Sequence, residues 1–120
     1  MQKVLGIGGF FFRAKDPAAL ARWYRDHLGV NEVPTGKGQE PWRQEAGTTA
    51  FSPFPADTGH FGRPEQAWML NFRVADVEAM AAQLRAAGVT VTVDPQTYPY
   101  GRFGRLHDPE GNPIELWQPA

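Results

Sequence analysis

The chain has 120 residues, a net charge of −1 and no cysteine. This length suffices for one domain with a hydrophobic core. Without cysteine, these residues form no disulfide and supply no thiolate nucleophile or thiolate metal ligand. Charged residues of both signs make up 21% of the chain, which lacks the basic character that nucleic-acid binding requires.

The N-terminal run VLGIGGFFF, residues 4–12, is apolar but contains three glycines. It is too short to span a bilayer, and no small-residue cleavage site of a signal peptide follows it. A buried strand is the favoured interpretation. We therefore expect a cytoplasmic protein with no membrane partner.

Residues 11–30 and 71–89 resemble each other. In both segments a Phe-Arg pair precedes an aspartate suited to cap a helix, and a glycine suited to end it follows. Both predicted helices carry an apolar stripe, which favours packing of one helix face against a core. The stripes are Leu20, Trp23, Tyr24 and Leu28 in the first helix, and Val77, Met80, Leu84 and Ala87 in the second.

After each helix the pattern changes to short runs with turn signals. Residues 42–54 predict a hairpin about Ala46-Gly47, and residues 89–94 alternate in polarity as a strand does. The closing stretch GRFGRLHDPEGNPIELWQ, residues 101–118, predicts a second hairpin. The Pro-rich segment 52–66 between the halves is long enough to be a working loop.

These elements predict an α+β fold in a single domain, residues 1–120. Each half reads as a β-α-β-β-β module, the first over about 1–60 and the second over about 64–120. One helix covers only one face of each sheet. We expect the two curved sheets to form an open-sided barrel around a cleft, with the helices on the outer face.

The paired modules, the helix end WYRDHLGV and the closing DPEGNPIELWQP resemble the vicinal oxygen chelate superfamily. That superfamily includes glyoxalase I, bleomycin-resistance proteins, fosfomycin-resistance enzymes and extradiol dioxygenases. The resemblance covers nearly the whole chain and implies the fold, whereas activity in this group varies with the cleft. Members usually build the cleft from two modules, within one chain or across two. Because each half of this chain exposes an apolar sheet face and the aromatic count is high, we expect a homodimer.

The resemblance implies four places for metal ligands. In this chain they hold Gly9, Met69, a residue of the segment 49–52, and Glu115. Only Glu115 is a good ligand, and one carboxylate cannot hold a catalytic ion that needs three or four ligands. We predict no bound metal and no cofactor, and we expect no metal-dependent glyoxalase or dioxygenase activity.

The three histidines do not replace the missing ligands. His27 lies near the end of the first predicted helix, where a positive charge is favourable. We expect His60, in the Pro-rich segment, to be exposed. His107 adjoins the second hairpin turn and is the one histidine that we retain as a functional candidate.

The register of the second hairpin suggests what Glu115 does. With a loop of residues 108–112, Arg105 faces Glu115 and Phe103 faces Trp117 on one side of the sheet. We expect an Arg105–Glu115 ion pair in place of the metal, serving either structure or ligand orientation. Glu115 is also a candidate catalytic base, although Arg105 would lower its basicity.

Strand alternation predicts a cleft that is aromatic and mostly apolar, suited to a flat aromatic or amphipathic molecule. The same aromatic residues could instead pack a dimer interface or the core between modules. The candidate ligand-binding residues are Phe11, Arg13, Trp42, Trp68, Met69, Asn71, Arg73, Tyr100, Phe103, Arg105, His107, Glu115 and Trp117.

Three functions are consistent with these features. The first is a metal-free protein that binds and sequesters a small molecule. The second is a lyase or isomerase of the superfamily, and the third is an interaction module without a ligand. The expected partners are a small molecule and a second copy of the chain. The sequence leaves the ligand and any reaction open.

Overall fold

The computed structural model describes residues 1–120 and contains two helices and four strands. The strands form one mixed sheet in the order β1-β4-β3-β2, with β1 parallel to β4 and the other neighbours antiparallel. The predicted α+β class is confirmed. The elements are α1 (Pro17–Leu28), β1 (Leu70–Arg73), α2 (Val77–Ala86), β2 (Thr92–Val93), β3 (Gly101–His107) and β4 (Pro113–Pro119).

Both helices begin at the aspartates that the repeat predicted. The carboxylate of Asp16 accepts from the amide of Ala19 at 3.1 Å, and that of Asp76 accepts from the amide of Ala79 at 3.0 Å. Gly29 ends α1 in the left-handed region with a φ of 72°. Neither helix has the length and apolar character needed to cross a membrane.

The closing hairpin has the predicted register. Arg105 is opposite Glu115, and Phe103 is opposite Trp117. Strand alternation sends these four side chains to one face of the sheet, which we call the open face. The opposite face is covered by the helices.

The core lies between the helices and the covered face of the sheet. Gly104 allows α2 close to β3, because a Cβ there would lie only 3.2 Å from Cγ2 of Val77. The buried apolar residues are Leu20, Tyr24, Val77, Ala81, Leu84, Val91, Leu106, Ile114 and Leu116.

The turn of the closing hairpin holds α1 against the sheet. Asp108 is 4% exposed, and its carboxylate accepts from the Tyr24 hydroxyl and from Nδ2 of Asn112, each at 2.7 Å. Burial, and then the hydrogen bond to Asp108, raises the pKa of the Tyr24 hydroxyl, which therefore stays protonated as a donor. The Glu110 carboxylate accepts from the amides of Lys15 and Asp16 just before α1.

The first half differs from the prediction. Of the expected β-α-β-β-β module only α1 forms, and neither the run 4–12 nor the segment 42–54 has a strand. A strand needs a paired neighbour, and these segments find none within the chain. Val4 is 91% exposed and Leu5 is 106% exposed. The radius of gyration of 15.4 Å exceeds the roughly 14 Å expected of a compact chain of this length.

We expect Tyr24→Phe to lower the free energy of unfolding by about 1–2 kcal/mol, because Asp108 loses a hydrogen bond in a buried place. Urea denaturation would measure the change. Tyr98→Phe is the matched control, since it removes another tyrosine–carboxylate hydrogen bond of 2.7 Å, to Asp94, in a more solvated place. A loss for Tyr24→Phe no larger than for the control would show that the Asp108 contact does not stabilise the fold.

Candidate functional site

A cleft of about 680 Å³ lies over the open face of the sheet. The sheet forms its floor, the linker 52–66 forms one wall, and the segment 92–100 forms the other. This volume is in the range that accommodates a small molecule. The lining residues are Phe54, His60, Thr92, Val93, Asp94, Pro95, Tyr98, Tyr100, Phe103, Gly104, Arg105 and Glu115.

Glu115 projects from β4 onto the floor, with its side chain 17% exposed. Its Oε1 accepts from Nδ2 of Asn71 at 2.8 Å, and its Oε2 lies 3.4 Å from Nε2 of His60. Parallel pairing of β1 with β4 places Asn71 directly beside Glu115. Each oxygen of the carboxylate therefore has one nitrogen partner from another part of the chain.

The predicted ion pair between Arg105 and Glu115 is wrong, although the two residues are cross-strand neighbours. The guanidinium turns instead to the linker, where its Nη2 donates to the carbonyl oxygen of His60. The same nitrogen lies 3.3 Å from Sδ of Met69. The linker supplies a carbonyl that strand alternation alone could not reveal.

His60 fastens the linker to the sheet, which sequence reasoning missed. Its imidazole stacks on the ring of Phe54, with centroids 5.2 Å apart and planes 15° apart. Its side chain is only 37% exposed, so the expectation of an exposed residue is corrected. In the sequence, the one indication that His60 and Phe54 belong to a site was their position in the long Pro-rich segment 52–66.

The other wall is aromatic. The rings of Tyr98 and Tyr100 stack with centroids 5.4 Å apart, and each meets Phe103 edge-on at 5.8 Å. Nε1 of Trp117 donates to the carbonyl oxygen of Tyr100 at 2.9 Å. These contacts pack the three rings against one another and hold the backbone at Tyr100.

Asp94 anchors this wall. The amide of Gln96 and then the hydroxyl of Tyr98 donate to its carboxylate and hold the pKa of Asp94 below its usual range. The same hydrogen bond raises the pKa of Tyr98. Asp94 thus stays ionised and Tyr98 stays protonated around neutral pH, and the pair persists there.

Seven of the candidate residues predicted from the sequence meet around the cleft. Tyr100, Phe103, Arg105 and Glu115 line it directly. The remaining three, Met69, Asn71 and Trp117, contact those lining residues.

The other candidates lie elsewhere. The ring centroid of Trp42 is 6.2 Å from that of Phe72, and Trp68 packs 5.1 Å from both Phe10 and Phe12. Phe72 and Phe12 each lie 6.4 Å from Tyr24 of α1, so both tryptophans belong to the α1 side and not to the cleft.

Phe11, Arg13, Arg73 and His107 also fall outside the cleft lining. Phe11 is 91% exposed, and Arg13 is exposed. Arg73 donates to the carbonyl oxygen of Glu45 at 2.8 Å. His107 borders a separate depression of about 660 Å³ beside Trp23.

The cleft floor does not supply the ligand set of a zinc-type metal site. His60 and Glu115 supply two potential ligands, and no three histidine, aspartate or glutamate side chains converge anywhere in the structure. Structural and catalytic zinc sites have three or four protein ligands. Met69 contacts the positively charged guanidinium of Arg105, which would also repel a cation there.

Comparisons with known proteins agree with this architecture. The family model described as glyoxalase-like domain matches residues 9–117. TnmS3, an antibiotic binding protein from Streptomyces sp. CB03234, is 24% identical, with 100% of both chains covered and a TM-score of 0.69.

Two other solved structures are similar. A glyoxalase/bleomycin resistance protein from Streptomyces sp. CB03234 is 27% identical over 87% of this chain and 92% of its own, with a TM-score of 0.53. Lactoylglutathione lyase from Agrobacterium tumefaciens is 21% identical over 98% of this chain and 96% of its own, with a TM-score of 0.62. No curated protein sequence gives a significant match.

We expect Asn71 and Glu115 to be energetically coupled by about 0.5–1 kcal/mol, since their hydrogen bond joins an amide to a carboxylate. Alanine substitutions at both positions, singly and together, would measure this coupling in urea denaturation. Glu115→Ala combined with Gln83→Ala, on the exposed side of α2, should be additive. If the free-energy changes also add for the pair Asn71 and Glu115, the two side chains do not form a stabilising hydrogen bond.

Proposed function

The chain belongs to the glyoxalase-like domain family, and we propose that it is a metal-independent protein that binds a flat aromatic molecule in the cleft. The observation that carries this proposal is the preformed wall of Tyr98, Tyr100 and Phe103 beside a hydrogen-bonding floor. Aromatic rings in such arrangements contribute about 0.5–1.5 kcal/mol per contact beyond area burial. Glu115 and Arg105 would set the orientation of the ligand.

The wall suits binding because it needs little reorganisation. The ring of Tyr98 is held by Asp94, and the backbone beside Tyr100 is held by Trp117. A site whose side chains are already fixed loses less conformational entropy when a ligand binds. The opposite wall has Phe54 stacked on His60, which offers a second flat surface to the ligand.

Metal independence is supported by the chain's own residues. Gly9 and Met69 stand where the resemblance implies metal ligands, and the segment 49–52 holds neither a carboxylate nor an imidazole. Arg105 brings a permanent positive charge beside the remaining carboxylate. We propose that hydrogen bonds, and not coordination, fix the ligand.

Sequestration of a toxic or antibiotic molecule in the cytoplasm is the biological role that we propose. The likeness to TnmS3, which is an antibiotic binding protein, supports it. A net charge of −1 gives little long-range attraction for a cationic compound. An aromatic ligand would therefore be selected by contact inside the cleft.

We also propose a homodimer in which the strands of the first module form and complete the open-sided barrel. Val4, Leu5, Phe11 and Phe51 are all more than 85% exposed. Clusters of exposed apolar side chains are typical of interaction surfaces. One edge of β1 is also unpaired, because β1 is the outermost strand of the sheet.

Binding is tested by calorimetric titration with 2-naphthol in buffer containing EDTA. We expect a dissociation constant on the order of 10⁻⁴ M, as is reasonable for a bicyclic ligand. Phe103→Ala should weaken binding at least about threefold through the lost ring contact. Met80→Ala controls for destabilisation, because Met80 packs on the covered side. No binding by the wild-type chain, with or without EDTA, would favour an interaction module without a ligand.

Light scattering at tens of micromolar should give a single dimeric mass. Leu5→Asp and Phe11→Asp should shift the protein towards monomer, because a charge would be buried at the contact. Ala82→Asp, which places the same charge on the exposed side of α2, should leave the mass unchanged. A monomeric wild-type protein would refute the dimer.

A further inference from the structure

Two charged side chains on the cleft floor keep unused hydrogen-bonding capacity. An ionised carboxylate has about four acceptor sites, and Glu115 is approached by only Asn71 and His60. A guanidinium has five N–H donors in a fixed plane, and only Nη2 of Arg105 meets a protein acceptor. Both residues line the cleft, so a ligand can reach the remaining capacity.

The hairpin register places the two residues side by side on the cleft floor. Arg105 and Glu115 are directly opposite across β3 and β4. Such pairs have Cβ atoms about 4.5–5.5 Å apart on one face. Since Arg105 does not pair with Glu115, the two groups are available to one ligand edge that offers a donor next to an acceptor.

The opposite charges of Glu115 and Arg105 restrict the class of ligand that the cleft can bind. Glu115 would repel an anionic ligand group, and Arg105 would repel a cationic one. A neutral edge with adjacent N–H and C=O groups satisfies both residues without a charge clash. A cyclic amide fused to an aromatic ring has that edge, and its rings lie flat against an aromatic wall.

We propose that the cleft recognises the lactam edge of a fused aromatic ring system, an inference that rests on the aromatic-binding function proposed above. The ligand N–H donates to the Glu115 carboxylate, and the ligand carbonyl accepts from the Arg105 guanidinium. Tyr98, Tyr100 and Phe103 contact the ring system. Asn71 and His60 position the Glu115 carboxylate through their contacts with its two oxygens.

The probes are 2-quinolone, which has both groups of the edge, and N-methyl-2-quinolone, which keeps the carbonyl but loses the donor. Calorimetric titration of the wild-type chain should show at least tenfold tighter binding of 2-quinolone, because a hydrogen bond to a charged acceptor is lost in the methylated probe. This comparison needs no variant and is independent of variant folding.

Variants then assign the two contacts. Glu115→Leu should remove the preference between the two probes, whereas Glu115→Gln, which keeps an acceptor oxygen, should retain part of it. Arg105→Met should weaken both probes to a similar extent, since both carry the carbonyl. Thermal melts of each variant check that the fold is kept.

The outcomes separate the two proposals. The lactam proposal is overturned if the wild-type chain binds both quinolones with equal affinity. It is also overturned if the chain binds 2-naphthol and neither quinolone. In both cases the proposed binding of aromatic molecules stands. Failure of 2-naphthol and both quinolones to bind would overturn both proposals. A preference for 2-quinolone that survives Glu115→Leu would show that another residue accepts the N–H.

Discussion

The carboxylate of Asp108 organises the connection between the two halves of the molecule. It is buried in the turn between β3 and β4, and it accepts from the turn's own amides, from Asn112 and from the hydroxyl of Tyr24 in α1. A buried carboxylate is costly unless its acceptor sites are filled. This one has four donors, and one of them comes from the other half of the chain. The position of α1 against the turn therefore completes the set of donors to this carboxylate.

The residues of the turn suit its backbone conformation and its place beside α1. Gly111 adopts a φ of 81°, a region that favours glycine. Glu110 accepts from two backbone amides just before α1, where the first turn of a helix leaves donors free. The turn thus orients the helix start while it sets the register of β3 against β4. Because that register aligns Arg105 with Glu115, the geometry of the cleft floor depends on the same turn.

The sequence predicted those features that depend on residues close together in the chain. The caps at Asp16 and Asp76 follow from side-chain chemistry, and the register that puts Arg105 opposite Glu115 follows from strand alternation; the structure confirms both. The direction of the Arg105 side chain depends on the carbonyl of His60, which is 45 residues away in the chain. No periodicity encodes such a contact. The positions of Trp42 and Trp68 likewise depend on how the first half folds back on α1.

The unpaired first half has a consequence for the cleft as well as for assembly. Small-molecule sites usually bury most of the surface of their ligand, and here one sheet with two short walls leaves the cleft open on one side. A second sheet, formed from the first modules of two chains, would cover that side and exclude water from Glu115 and Arg105. Hydrogen bonds to these groups would then be stronger, because the local dielectric would fall. On this view dimerisation and ligand binding stabilise each other, since a ligand that contacts both sheets would bind the assembled form more tightly.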